Sequence, residues 1–191
     1  MAERAPNAVR CADPFHIVAW ATDALDQVRR DTWNEARKGG MSAHARDLKG
    51  ARYALWKNPE DLTDRQAAKL AWVAKVNHRL YRAYLLKEQL RQVFALKGDA
   101  GKALLDRWLI WARRCRIPSF VDLARRITKH RASIDATLEH GLSNGLVEST
   151  NTKIRVLTRM AFGFKSPEAL IALAMLSLGG YCPPLPGRTT S

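Results

Sequence analysis

Apolar positions recur at three- and four-residue spacing over most of the chain, the period of an α-helix rather than a strand. From Phe15 to about Arg37 they fall at Val18, Ala21, Leu25 and Val28, and Gly39-Gly40 stops the run. Asp13-Pro14 marks its start, since Asp suits a helix cap and Pro the first turn. Just upstream, Ala8 to Ala12 is a brief, mostly apolar run that reads as a short strand. Residues 39 to 59 are less regular and close on the turn signal Asn58-Pro59. Thr63 with Gln66 has the spacing of a capping box. A long helical stretch follows to about Leu96, broken near Asn77, with Leu70, Val73, Val76, Leu80, Tyr84 and Phe94 as its apolar positions. Gly98 and Gly101 end it. A further helix spans about Lys102 to Cys115, with Leu105, Trp108, Leu109 and Ala112 on one face, and another runs from Pro118 to about His140. After a Gly/Ser/Asn loop at Gly141 to Gly145, helices are predicted over Leu146 to Met160 and Ser166 to Leu178. The tail from Gly179, with Pro183, Pro184, Pro186 and Gly187, reads as disordered. The pattern predicts a mainly α chain with at most one short strand near the N-terminus.

Composition places this helical chain beside a polyanion. In 191 residues, 47% are hydrophobic and 26% charged, as in a globular protein with a real core. Thirty-two Lys and Arg against eighteen Asp and Glu leave a charge of +14 and an isoelectric point near 10.3. Such an excess favours nucleic acid, because each phosphate neutralised releases a condensed counterion. Charge alone also fits a solvated basic surface or a ribosome-associated protein. Cys11, Cys115 and Cys182 form no CxxC pair and have no His at ligand spacing, which argues against zinc and fits a reducing cytoplasm. Residues 1 to 12 hold no apolar signal core, and the longest apolar run, Ala169 to Leu178, is far below the ~20 residues of a membrane span. The expected location is the cytoplasm, at the nucleoid, with no membrane partner.

Two segments carry candidate chemistry: Cys11-Ala12-Asp13-Pro14-Phe15-His16-Ile17-Val18, and the run from Ser143 to Arg155 with Asn144-Gly145 and Glu148. Taken alone, Asp13 fits an ordinary helix cap, and Glu148 an ordinary first-turn acid facing the positive end of the helix dipole. Asn151, Thr152 and Arg155 follow Glu148 at spacings that put them on its face, Arg159 extends the stripe, and Lys153 points away. Basic-aromatic sites such as Arg52, Tyr53, Trp56 and Lys57, or Arg113, Arg114 and Arg116, fit either phosphate contact with base stacking or a core ring beside a solvated cation. Arg125, Arg126, Lys129 and Arg131 are open in the same way.

The two segments resemble the paired signatures of the ISL-three family of insertion-sequence transposases. In that family an Asp-x-Phe-His motif follows a strand, and an Asn-Gly-x-x-Glu-x-x-Asn motif opens a later helix. An aromatic-Gly-aromatic segment comes next, here Phe162-Gly163-Phe164, and the run Asn77 to Lys87 is similar to the family's helical insertion. The resemblance extends from about Val9 to Leu178. It implies a DDE enzyme, a polynucleotidyl transferase that cleaves and transfers insertion-sequence DNA through an RNase H-like core. Three carboxylates there hold two Mg²⁺ (or Mn²⁺) ions, with Asp13 in the place of the second Asp and Glu148 in that of the Glu. It further implies DNA contacts by Asn151, Arg155 and Arg159, supporting roles for His16, Asn144 and Gly145, and a homo-oligomer on transposon ends and target DNA. The implied organisation is a partial catalytic core over 1–38, a helical insertion over 39–140, a return to the core over 141–180 and a disordered tail over 181–191.

The sequence departs from that family upstream of Asp13. Upstream of Asp13 the only acid is Glu3, so the first catalytic Asp is missing, as are the family's zinc-binding and helix-turn-helix regions. The expectation is a truncated chain, inactive alone. The alternative is a non-catalytic fragment that binds DNA or the transposase and interferes with transposition.

Overall fold

The computed structural model describes residues 9–141, 145–161 and 163–178, and the side chains of 145–148 and 178 fall outside that description. Among the described residues there are ten α-helices, one 3-10 turn and no strand. The expected fold class, mainly α, is what these residues form. They divide into two compact units, 1–142 and 143–191, each described here by itself.

The first unit holds α1 (Pro14–Lys38), α2 (Ser42–Gly50), α3 (Arg52–Trp56), α4 (Asp64–Val76), α5 (His78–Ala95), α6 (Gly98–Arg114), α7 (Pro118–Lys129) and α8 (Arg131–His140), with the 3-10 turn at Pro59–Asp61. Asp13 caps α1: its Oδ1 accepts from the Phe15 amide at 2.9 Å, and Pro14 takes the first position, where no amide is needed. Along α1 the buried stripe is Ile17, Ala21, Leu25, Val28, Thr32 and Ala36, which lies against α5, α2 and α7. The short strand expected over Ala8 to Ala12 does not form over residues 9–12, and Ala8 lies outside the described residues. Here the Ala12 amide donates to the Ser133 carbonyl at 2.9 Å, and Thr137 Oγ1 lies 2.6 Å from the Ala12 carbonyl oxygen. Helix α8 thus takes the backbone bonds that a neighbouring strand would have taken.

The irregular stretch 39–59 is in fact two short helices that each bury one Ala and one Leu: Ala45 and Leu48 in α2, Ala54 and Leu55 in α3. Thr63 and Gln66 exchange both bonds of the capping box, at 3.4 and 3.1 Å. The predicted break near Asn77 is real, because Asn77 Oδ1 accepts from the Leu80 amide at 2.8 Å and starts α5 anew. Gly98 and Gly101 lie inside α6, which begins before the predicted Lys102. A Cβ at Gly101 would stand 3.1 Å from Leu138 Cδ2 and 3.1 Å from the Leu96 carbonyl oxygen, so this glycine serves close helix approach. The predicted Pro118–His140 helix divides at His130, letting α7 pack on α1 and α6 while α8 packs on α6.

Helix α5 is central and is buried on several sides, through Leu80, Ala83, Tyr84, Leu86, Lys87, Glu88, Leu90 and Val93. Trp108 of α6 is fully buried and donates its indole N–H to the Leu86 carbonyl at 2.8 Å. Truncating a core aromatic of this kind costs about 3–5 kcal/mol. Lys87, only 2% exposed, donates from Nζ to the carbonyls of Leu55 at 3.0 Å and Lys57 at 3.3 Å, and lies 2.5 Å from Glu88 Oε1. Arg91 joins Glu88 to Glu60, meeting the latter with two parallel bonds at 2.7 and 3.0 Å.

In the second unit α9 (Gly145–Met160) and α10 (Pro167–Leu178) pack on each other. Gly163 turns the chain between them with φ +101°, and its amide donates to the Thr158 carbonyl at 3.0 Å. Ser166 Oγ accepts from the Ala169 amide at 3.3 Å, the cap that Ser166-Pro167 predicted. Phe162, Asn144 and the tail from 179 lie outside the described residues. Among the described residues no helix is long and apolar enough to cross a membrane.

Candidate active site at the start of α1

Asp13 stands where an irregular segment, pinned by α8, turns into α1. Its Oδ1 is held by the cap bond, and its Oδ2 lies 3.5 Å from His16 Nε2, one helical turn on. Of the residues singled out from the sequence, Asp13 and His16 are two that the structure brings into contact. The His16 ring is exposed, and Phe15 beside it packs edge-on at 5.9 Å between ring centroids. A cleft of about 250 Å³ opens at this point, with Asp13, His16, Arg10, Cys11, Trp20 and His130 among its walls.

The sequence reading missed the ring cluster behind this acid. Trp20 lies one turn past His16, Arg126 of α7 stacks over its indole at 3.6 Å from the guanidinium carbon, and the His130 ring is 5.8 Å away. The 13, 16, 20 spacing was the available signal, because those positions share one helix face. A second cleft of about 410 Å³ adjoins the first through Arg10, His130 and Ser133 and adds Lys129. Asp13 therefore shares its cleft with Arg10, His16 and His130, and Lys129 lines the adjoining one. A carboxylate oxygen suits a hard divalent cation, and the flanking donors suit phosphate.

The structure also sorts the ambiguous cations. Arg131 pairs with Asp135 at 2.7 Å and with Asp106, and Arg125 pairs with Asp122 at 2.6 Å. Arg113 donates to Thr128 Oγ1 at 2.9 Å. Arg126, by contrast, lines a cleft against α1, and Lys129 lines the one between Arg10 and α8.

In the second unit Gly145 opens α9 and Glu148 follows in its first turn, with its side chain outside the described residues. Asn151, Arg155 and Arg159 come at four-residue steps and are all exposed, as is Lys153. Ile154, Leu157 and Thr158 are half-buried. The helix therefore presents a basic stripe that continues from the Glu148 position. Among the described residues no three His, Cys, Asp or Glu side chains are gathered to hold a metal ion.

Comparison with known proteins adds to this geometry. The family model for DDE transposases of the ISL-three type, described as Transposase, matches residues 1–174. The chain is 64% identical over 205 aligned positions to the transposase for insertion sequence element IS1557 of two Mycobacterium tuberculosis strains, covering 97% of this chain and 46% of that protein. It is 28% identical to the transposase for insertion sequence element IS1001 of Bordetella parapertussis, over 85% of this chain and 40% of that one. The chain thus spans less than half the length of these relatives. No solved structure matches it.

Proposed function

The chain belongs to the ISL-three family of DDE transposases, and from that premise we propose that Asp13 and Glu148 are two of the carboxylates with which such an enzyme cleaves and transfers insertion-sequence DNA. The observation that supports it most is the setting of Asp13. It is a carboxylate fixed at a helix start, tied through Ala12 to α8, and set in a cleft that Arg10, His16 and His130 also line. Helix starts hold such groups more rigidly than loops do.

Asp13 and Glu148 are the residues that would hold the divalent ions, Mg²⁺ or Mn²⁺. Two such ions, when bound, supply activation of the attacking hydroxyl and stabilisation of the leaving oxygen. His16 orients the Asp13 carboxylate. Asn151, Arg155 and Arg159 hold the DNA backbone along α9, with Asn144 and Gly145 in supporting roles. In this reading 1–38 and 141–180 belong to the catalytic core and 39–140 to a helical insertion. The partners are transposon ends, target DNA and further copies of the transposase, and the chain by itself does not carry out strand transfer.

The charge of +14 supports a second reading, a non-catalytic fragment that binds DNA or transposase and interferes with transposition. One assay separates the two. The chain is produced in frame with the coding sequence upstream of Met1, and cleavage of the element's ends is measured with Mg²⁺ or Mn²⁺. Asp13→Asn and Glu148→Gln should each reduce cleavage at least ~10²-fold while leaving DNA binding in place. Full cleavage by either variant removes that acid from the site. A parent that binds the ends but never cuts them favours the second reading.

A further inference from the structure

Clefts follow one another along α1. The one at Asp13 shares Trp20 with a second against α7, and that shares Arg30 with a third between α1, α2 and α3. The third, about 410 Å³, is lined by Arg29, Arg30, Trp33, Lys49, Arg52 and Tyr53. Four are cations, two are aromatic, and no carboxylate is among them. Asp26 offsets part of the charge, lying 2.8 Å from Arg29 and 3.4 Å from Arg30. Among the described residues, no carboxylate pairs with Lys49 or Arg52.

The aromatic groups are held ready as well. Arg52 stands over Trp56, its guanidinium carbon 3.9 Å from the ring centroid, so the ring braces this cation at the edge of the trough. Tyr53 is 64% exposed and braced edge-on by Trp56 at 6.5 Å. An exposed ring beside unpaired cations is what a nucleobase and its phosphates require. In a duplex the base faces are already stacked on one another, so the tyrosine ring singles out an unpaired strand.

We propose that the Arg52–Tyr53 end of this trough takes an unpaired DNA strand, with one base stacked on Tyr53 and adjoining phosphates on Lys49 and Arg52. The proposal rests on the reading that the chain acts on DNA. It adds a contact on the helical unit far along α1 from Asp13.

The test uses the 191-residue chain, a labelled oligothymidine of about twenty nucleotides and a duplex of equal length, titrated by anisotropy at several salt concentrations without metal. Tyr53→Ala should weaken strand binding on the order of 5- to 160-fold, the range for one lost base stack, with little effect on the duplex. Tyr53→Phe, which keeps the ring, should bind like the parent. Lys49→Ala with Arg52→Ala should lower the salt slope for the strand by about 1.4, or two phosphates. Parent-like strand binding by Tyr53→Ala overturns the proposal. So do equal losses for strand and duplex, equal binding of a poly-glutamate peptide, and a parent chain that binds no strand. Because this readout needs neither metal nor Glu148, its failure leaves the carboxylate assignment standing. Failure of the cleavage assay likewise leaves this one standing.

Discussion

Lys87 Nζ lies 3.0 Å from the carbonyl oxygen of Leu55, and this bond fastens the central helix α5 to the last turn of α3. Burial pushes the Lys87 amine below its ordinary range, and the adjacent Glu88 carboxylate works against that shift. Lys87→Met keeps the stem but removes the donor to two helix-end carbonyls and leaves Glu88 with Arg91 as its counter-ion. We expect a loss of about 2–4 kcal/mol in urea unfolding. Native-state trypsin cleavage at Arg52 and Lys57 should accelerate, because α3 loses its anchor. A parent-like midpoint and cleavage rate would show that the anchor is dispensable.

Tyr84 makes the fold sensitive to alkali. Burial, and then the Glu88 charge, push its phenol up to about 12 from an ordinary 10.0. The folded state thus holds the proton more tightly, so Tyr84's contribution is fully present below pH 10 and fades as pH rises toward 12. The fall should reach about 2–3 kcal/mol. Lys87, displaced downward from 10.5, works in the opposite sense, its contribution rising with pH only up to that value. Urea midpoints measured between pH 10.5 and 12 therefore report Tyr84, and Tyr84→Phe should flatten the curve there.

Asp13 has a structural duty separable from any chemical one. Asparagine caps a helix about as well as aspartate, so Asp13→Asn should unfold like the parent. Asp13→Ala should lose about 1 kcal/mol. If both variants unfold alike, the 2.9 Å bond from the Phe15 amide contributes nothing to stability.

Two backbone positions should respond to substitution with opposite signs. Arg116, between α6 and α7, is a non-glycine residue at φ +59°, and Arg116→Gly should raise stability by about 1 kcal/mol. Gly163 sits at φ +101° with nothing within 4 Å of an added Cβ, so Gly163→Ala carries conformational strain alone and should cost about 1–2 kcal/mol. Thermal unfolding followed by far-ultraviolet circular dichroism measures both.

The helices with periodic large apolar residues and explicit caps were legible in the sequence. Thr63 with Gln66, Asn77 and Ser166-Pro167 all mark ends where the chain places them. What escaped had no local signature. Helices α2 and α3 are nine and five residues long and bury one leucine and one alanine each, too short a run for the helical period to register. His130 divides α7 from α8 without glycine or proline to mark the break. The strand over 9–12 failed because the partner for Ala12 was Ser133, far along the chain. At the site, Asp13 and His16 were named from their motif. Trp20 shares their face of α1, but Arg126 of α7 and His130 at the end of that helix lie more than a hundred residues on, and only folding brings them against it.

Helix α1 runs unbroken from Pro14 to Lys38, with no internal glycine or proline. Sixteen residues at ~1.5 Å each fix the interval from Asp13 to Arg29 at about 24 Å. The helix is therefore a ruler that peptide geometry calibrates. One inserted residue would lengthen it by only ~1.5 Å but swing everything beyond by ~100°, so a strand aligned with one end would miss the other.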